Sequence, residues 1–477
     1  MQKTNFYMKF ALQDGESRGA LFSKDELSTV SSEVASAASL IEQLRGKPEK
    51  NGSTQSEESR QLAFLELPYA YEPEYGTTIF GDELQLAMEK IQEASAHIRQ
   101  SNSQFLHLGI GGSALGAIML LNALETNAKN DPNGSTQIHV PDNVDPDWIA
   151  AILRGIDMSK VYVNVISKSG GTVETIATFS ILWEKMIRES GLPTQELQKR
   201  VFITTNPEGG ALKQIQESEK FNFLPLPDSI HGRFSVLSPM GLFTAAIGGI
   251  NIKSLLAGAR LADQHTANSP FWENPAQQLA ALHFLGLRKK GLSVLVLLPY
   301  SNGMRTVADW YSQLVAESLG KNGQGMTPVK ALGVTDQHSQ LQLYNDGPKD
   351  KLVVFFSVEE FAETLTIPKI PSTSAYEYLE GNTLNALLRA ELQATEVSLH
   401  LHGVPSCRFE LPKLNAFNLG YLITILEKTV CILGRLLNVN AFDQPGVEES
   451  KEYARAMLRK SGEKYALLRE TVAKYYK

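Results

Sequence analysis

The sequence predicts an α/β protein with two parallel-rich sheets, each covered by helices on both faces, and additional helices at the N- and C-termini. Three observations carry that expectation. Apolar runs of strand length alternate with helical patterns from about residue 104 onward, the arrangement that buries a parallel sheet on both faces. The alternation restarts at "LSVLVLLPY", residues 292–300. A chain of 477 residues also exceeds one ordinary hydrophobic core, so two domains are expected.

Residues 25–46, "DELSTVSSEVASAASLIEQLRG", have helical spacing that ends at Gly46. The polar "KPEKNGSTQSEES" predicts an exposed loop and "LPYAYEPEYGTT" an irregular segment. A helix resumes near Asp82, and the strand "QFLHLGI" then leads through glycines into the helix "SALGAIMLLNAL". "TQIHV" is the next strand, while "VYVNVIS" and "VFITTN" each precede a helix. In the second cycle the strand at 292–300 is followed by a helix through Val307–Leu319, with further strands expected at "KLVVFFS" and "EVSLHLHG". From Asn415 the chain reads as mostly helical, broken by "NVNAFDQPGVEE".

With 43% hydrophobic and 20% charged residues the chain has a soluble, globular composition. Its net charge of −7 has no basic tract, which argues against nucleic acid or an anionic membrane as partner. Cys407 and Cys431 form neither a metal-type pair nor a disulfide framework, as suits a reducing cytoplasm. The N-terminal "MQKTNFYMKFALQDGES" lacks a signal-peptide core, being interrupted by Asp14 and Glu16. No stretch is expected to approach the roughly 20 apolar residues that span a bilayer.

In parallel α/β sheets ligands sit beyond the carboxyl ends of the strands, where helix N-termini offer free N–H groups. "SKSGGTVET", residues 167–175, occupies such a junction. Ser167, Ser169, Thr172 and Thr175 supply hydroxyls, and Gly170 and Gly171 allow close backbone approach. Phosphate fits this chemistry and the positive end of the helix dipole. A Ser/Thr helix cap is the simpler alternative. The earlier "LGIGGSALGA", residues 108–117, fits a loose dinucleotide pattern through Gly109, Gly111 and Ala114, with Asp142 after the next strand. An oxidoreductase is therefore one rival reading and a protein that binds its ligand without turnover another, while Ser113 and the glycines could equally hold part of a small substrate or form a structural tight turn. "AESLGK" places Glu317 at a helix end, and "GVTDQHSQLQLYNDG" surrounds His338 with polar residues; carboxylate and imidazole both suit proton transfer. His400 and His402 alternate on an expected strand, with no carboxylate or cysteine cluster to complete a metal site.

Six stretches in order, "GIGGSALG", "SKSGGTVET", "HGRFSVLSPMG", "AESLGK", "DQHSQLQ" and "GRLLNVNAFDQPGVEESK", run from about Phe105 to Lys451. Together they closely resemble the glucose-6-phosphate isomerase (phosphoglucose isomerase) family of the bacterial type. One departure is His231 in "HGRFS", where that family usually has glycine. The resemblance implies two sugar-isomerase-type α/β/α sandwich domains, at 101–285 and 286–412, between an N-terminal helical and irregular segment at 1–100 and a C-terminal helical segment at 413–477. It implies reversible interconversion of glucose 6-phosphate and fructose 6-phosphate through ring opening and a cis-enediol, serving glycolysis and gluconeogenesis. Ser167, Lys168, Ser169, Thr172 and Thr175 would bind the phosphate, Gly112 and Ser113 would line the sugar site, and Gln444 would lie near the substrate. Glu317 would be the base, Arg233 the cation facing enediolate charge, and His338 and Lys451 the ring-opening groups. No metal or other cofactor is expected. The resemblance also implies a homodimer in which His338 enters the neighbouring subunit's site, and cysteine usage and the N-terminal stretch lead to a cytoplasmic location being expected.

Overall fold

In the computed structural model, the structure describes residues 7–10, 21–45, 56–75, 79–101, 103–128, 136–369, 371 and 373–476. Gly46, most of the expected polar loop and most of the N-terminal stretch lie outside them.

The first sheet contains β2 (Gln104–Leu108), β3 (Gln137–His139), β4 (Val161–Ile166), β5 (Val201–Thr205) and β6 (Asn222–Pro225), ordered β3-β2-β4-β5-β6. All its pairings are parallel. The second is ordered β1-β10-β9-β7-β8, from β1 (Tyr7–Phe10), β7 (Val294–Pro299), β8 (Thr327–Lys330), β9 (Lys351–Glu360) and β10 (Ser406–Lys413). Only β1 runs antiparallel, so the second sheet borrows its edge from the N-terminal segment.

The strands are apolar on both sides because both faces are covered. In β4, Val161, Val163 and Val165 enter a core under the helix Val173–Glu189, while Tyr162 and Ile166 face the opposite core. In β7, Val296 and Leu298 face an outer core with Tyr344, Leu392 and Leu399, and Leu295 and Leu297 point inward. The two inward faces share one continuous core. It is filled by the helices Leu115–Ala128, Pro239–Ile247, Arg305–Leu319 and Ala416–Leu437, so the two α/β/α units are joined by a common layer.

Four expectations need correction. "EVSLHLHG" is not a strand: it lies in the helix Leu384–Leu401, where buried Leu392, Thr395 and Leu399 keep helical spacing and Thr383 accepts a hydrogen bond from Ala386 N. The local alternation of Val397, Leu399 and Leu401 imitates a strand, but the strand is β10, a few residues later. His400 and His402 therefore share no strand face; His402 Nδ1 bonds to the carbonyl of Ser398. Glu57–Gln61, at the end of the expected polar loop, forms a short helix capped by Ser56. Finally, Ala416–Leu437 is a 22-residue helix apolar enough to cross a membrane. Most of it is buried inside the protein against the helix Ile252–Asn268, and its apolar character serves the shared core.

Candidate active site

In the first sheet β2 and β4 are neighbours, β3 lies outside β2, and β5 lies on the far side of β4. Chain connections thus leave β2 and β4 in opposite directions. Such a reversal opens a crevice at the carboxyl ends of the two strands. The loops at that point are Gly109–Ser113 and Ser167–Thr172.

Ser167 is fully buried, and its Oγ lies 2.8 Å from Thr172 Oγ1. Thr172 is the N-cap residue of the helix Val173–Glu189, yet its side chain makes no capping hydrogen bond. The simple capping role is therefore not what this hydroxyl does here, and the first turn keeps its free N–H groups. Gly170 has φ +64°, and its carbonyl accepts from Leu212 N at 3.2 Å, which packs the loop against the next helix. Ser169 is exposed, with Oγ accepting from Gly171 N at 3.3 Å. Thr175 is buried in the first helical turn and its Oγ1 has no partner among the described residues. Lys168 lies 3.9 Å from Asp228, and burial holds its pKa below that of an ordinary lysine.

The glycine loop packs against protein backbone. A Cβ on Gly112 would lie 2.4 Å from the carbonyl carbon of Gly232, so glycine is required where this loop meets the Arg233 turn. Gly109, which belongs to the loose dinucleotide pattern, is likewise explained by packing, since an added Cβ there would lie 2.6 Å from the Ser113 carbonyl oxygen. Behind the loop, His107 on β2 is fully buried between Thr244 Oγ1 at 2.7 Å and the Ser113 carbonyl at 2.6 Å. Burial lowers its pKa to about 4, which keeps the ring neutral.

Arg233, only 3% exposed, forms the centre of the site. Nε donates to Ser318 Oγ at 2.7 Å, and Nη2 donates to the carbonyls of Ala441 at 2.6 Å and Asp443 at 3.0 Å. Nη1 donates to Glu317 Oε2 at 3.3 Å and Gln444 Oε1 at 3.1 Å. A guanidinium has five N–H donors, and here each has an acceptor. Glu317 Oε1 accepts from Gln313 Nε2 at 2.9 Å, one helical turn earlier. Gln313 in turn approaches Gly111, where an added Cβ would stand 3.2 Å from its Nε2. Arg233 thus contacts both Glu317 and Gln444, Gly112 packs on Gly232 next to it, and Lys168 of the Ser167–Thr172 loop lies close enough to feel its charge. His231 packs on Phe442 at 5.8 Å between ring centroids, and burial followed by the nearby Lys168 and Arg233 charges pushes its pKa down to about 3.

Two expected site residues lie apart from this cluster. His338 is exposed at the end of the turn Thr335–His338 and makes no hydrogen bond or ion pair with the described residues. Lys451 is on the helix Glu448–Met457, half-exposed, and pairs with Glu448 at 2.8 Å. Sequence reading missed Gln313, Ser318 and His107, whose contacts depend on how distant segments meet. Only Gln313 left a signal, its four-residue spacing from Glu317 on one helix face.

The fold and site together define an α/β protein with an anion-suited crevice beside a buried guanidinium paired with a part-exposed carboxylate. A family model described as phosphoglucose isomerase matches residues 82–343 and 384–467. Glucose-6-phosphate isomerase from Carboxydothermus hydrogenoformans is 38% identical over 421 residues, covering 86% of this chain and 87% of the relative. Glucose-6-phosphate isomerase from Rubrobacter xylanophilus is 39% identical over 384 residues, covering 79% and 87% respectively. Among solved structures, a hypothetical protein from Thermus thermophilus superposes with TM-score 0.77 at 34% identity, covering 91% of this chain and 96% of that one. A glucose-6-phosphate isomerase from Chlamydia trachomatis shares the fold at TM-score 0.76 and 22% identity, covering 98% and 92%. The chain belongs to the phosphoglucose isomerase family.

Proposed function

We propose that this enzyme interconverts glucose 6-phosphate and fructose 6-phosphate through a cis-enediol, in glycolysis and gluconeogenesis. The observation that carries this reading is the ion pair between buried Arg233 and part-exposed Glu317 beside an uncapped, hydroxyl-rich helix N-terminus. The phosphate binds at Ser167–Thr172 with Lys168, and the sugar extends along Gly112 and Ser113 towards Gln444. Once the ring is open, Glu317 removes the C2 proton of the aldose. The C–H electrons form the C1=C2 bond, and the O1 carbonyl becomes the second enediol oxygen. The O2 proton then passes to O1 as the C2=O2 bond forms, and the C1=C2 electrons take the proton back from Glu317 at C1 to give the ketose. A carbon acid of this kind needs both a positioned base and a cation facing the developing oxyanion. Arg233 supplies that cation when Glu317 or Gln444 releases an Nη1 hydrogen.

Ring opening falls to His338 and Lys451. The exposed, unpartnered position of His338 supports its insertion into a neighbouring subunit's crevice, and hence a homodimer with shared sites. Cys407 and Cys431, both free and buried, support a cytoplasmic setting. The direct test supplies purified protein with fructose 6-phosphate and measures glucose 6-phosphate. Product formation without added nicotinamide in the isomerase step supports the reading, while binding without product would favour a sensor.

A further inference from the structure

Lys321 follows the helix Arg305–Leu319 and has no role in the mechanism described so far. Its ammonium pairs with Asp443 Oδ1 at 3.0 Å and donates to the Ser318 carbonyl at 3.0 Å and to the Asn440 carbonyl. These contacts use all three of its donors, and the side chain is only 10% exposed. Burial lowers its pKa, opposed by Asp443. Its acceptors belong to the two segments that enclose Arg233. Ser318 receives Arg233 Nε, and the 440–443 segment supplies both carbonyls to Nη2.

The five bonds of Arg233 therefore fall into two sets. Three go to acceptors in segments that Lys321 ties together. The other two, both from Nη1, go to the side-chain ends of Glu317 and Gln444, which can rotate away without moving backbone. We propose that Lys321 is a positioning residue: it clamps the 440–443 segment to the end of the Glu317 helix, so that Arg233 presents its Nη1 edge to the enediolate oxygen. The inference rests on the isomerase reading and identifies which part of the arginine performs it.

The test compares the parent with Lys321→Met, Lys321→Arg and Asp443→Asn. The readouts are kcat, KM, inhibition by inorganic phosphate, and inhibition by an aldonate phosphate one carbon shorter than the substrate, whose planar carboxylate imitates the enediolate. Misplacing a catalytic group by about 1 Å costs about 100-fold, so Lys321→Met is expected to lose about 10- to 100-fold in kcat. Affinity for the aldonate phosphate should fall in parallel, while KM and phosphate inhibition stay near parental values. Lys321→Arg should recover most of the loss, and Asp443→Asn, at a half-exposed position, should show the same split in smaller degree. Unchanged kcat and aldonate affinity in Lys321→Met, or equal loss of phosphate and aldonate affinity, overturns the clamp. If Lys321→Met does not fold, Asp443→Asn decides by the same criterion. An inactive parent would instead overturn the isomerase reading itself.

Discussion

Thr172 shows how one residue can be named from sequence while its contacts remain hidden. A hydroxyl at a strand–helix junction is visible in "SKSGGTVET", but its 2.8 Å partnership with buried Ser167 depends on the folded loop. Arg233 and Glu317 were legible for a similar reason, as parts of short motifs. Their neighbours were not: Ser318 and the Ala441 carbonyl meet Arg233 across 85 and 208 residues of chain. Thr172→Val keeps the side-chain shape and removes the hydroxyl. If this loop binds phosphate, substrate affinity should fall by about 1.5–3 kcal/mol, the contribution of a hydrogen bond to a charged group. Inorganic phosphate should compete less well against the variant than against the parent. Unchanged constants for both ligands would move the phosphate elsewhere.

Among the elements, the long buried strands were the readable ones. β4 is buried throughout and β9 over its first eight residues, and both are rich in apolar residues because helices cover both faces. β8 and β6 are four residues each, and "TPVK" and "NFLP" carry too little pattern to be distinguished from loop. β10 was displaced in the reading because a strand-like alternation occurs within the preceding helix. The helix Pro275–Leu285 carries a different consequence. His283 on it is buried, its Nε2 has no partner among the described residues, and burial lowers its pKa to about 3. The unfolded chain protonates this ring below about pH 6.5, whereas the folded chain does so only near its lowered value. The unfolded state therefore binds more protons across that interval, and stability falls as pH falls through it. His283→Leu should remove this contribution. Between pH 6.5 and 5 the parent should lose about 2 kcal/mol more than the variant in denaturant unfolding. Equal losses would mean that His283 does not titrate in this way.

At the scale of the whole molecule, two α/β/α units share a central helical layer, and the candidate site draws on both. The crevice and Arg233 come from the first unit, Glu317 from the helix after β7, and Gln444 from the C-terminal segment. The two-sheet plan was legible from alternation and length, but the β1 edge and the shared core were not, because both require pairings between remote segments. If a homodimer shares its sites, Glu317→Gln and His338→Ala are each defective but complement one another. Random reassociation should recover about a quarter of parental activity, since half the dimers are mixed and each has one intact site. No recovery after verified subunit exchange would contradict shared sites. The central claim, that Glu317 beside Arg233 moves the carbon-bound proton, is tested most directly with glucose 6-phosphate deuterated at C2. The parent should release the label to solvent or transfer it to C1. Glu317→Gln, shown to be folded and to bind substrate, should do either at least about 10²–10⁴-fold more slowly, as expected for loss of a general base. Label loss at a near-parental rate in that variant would contradict the account.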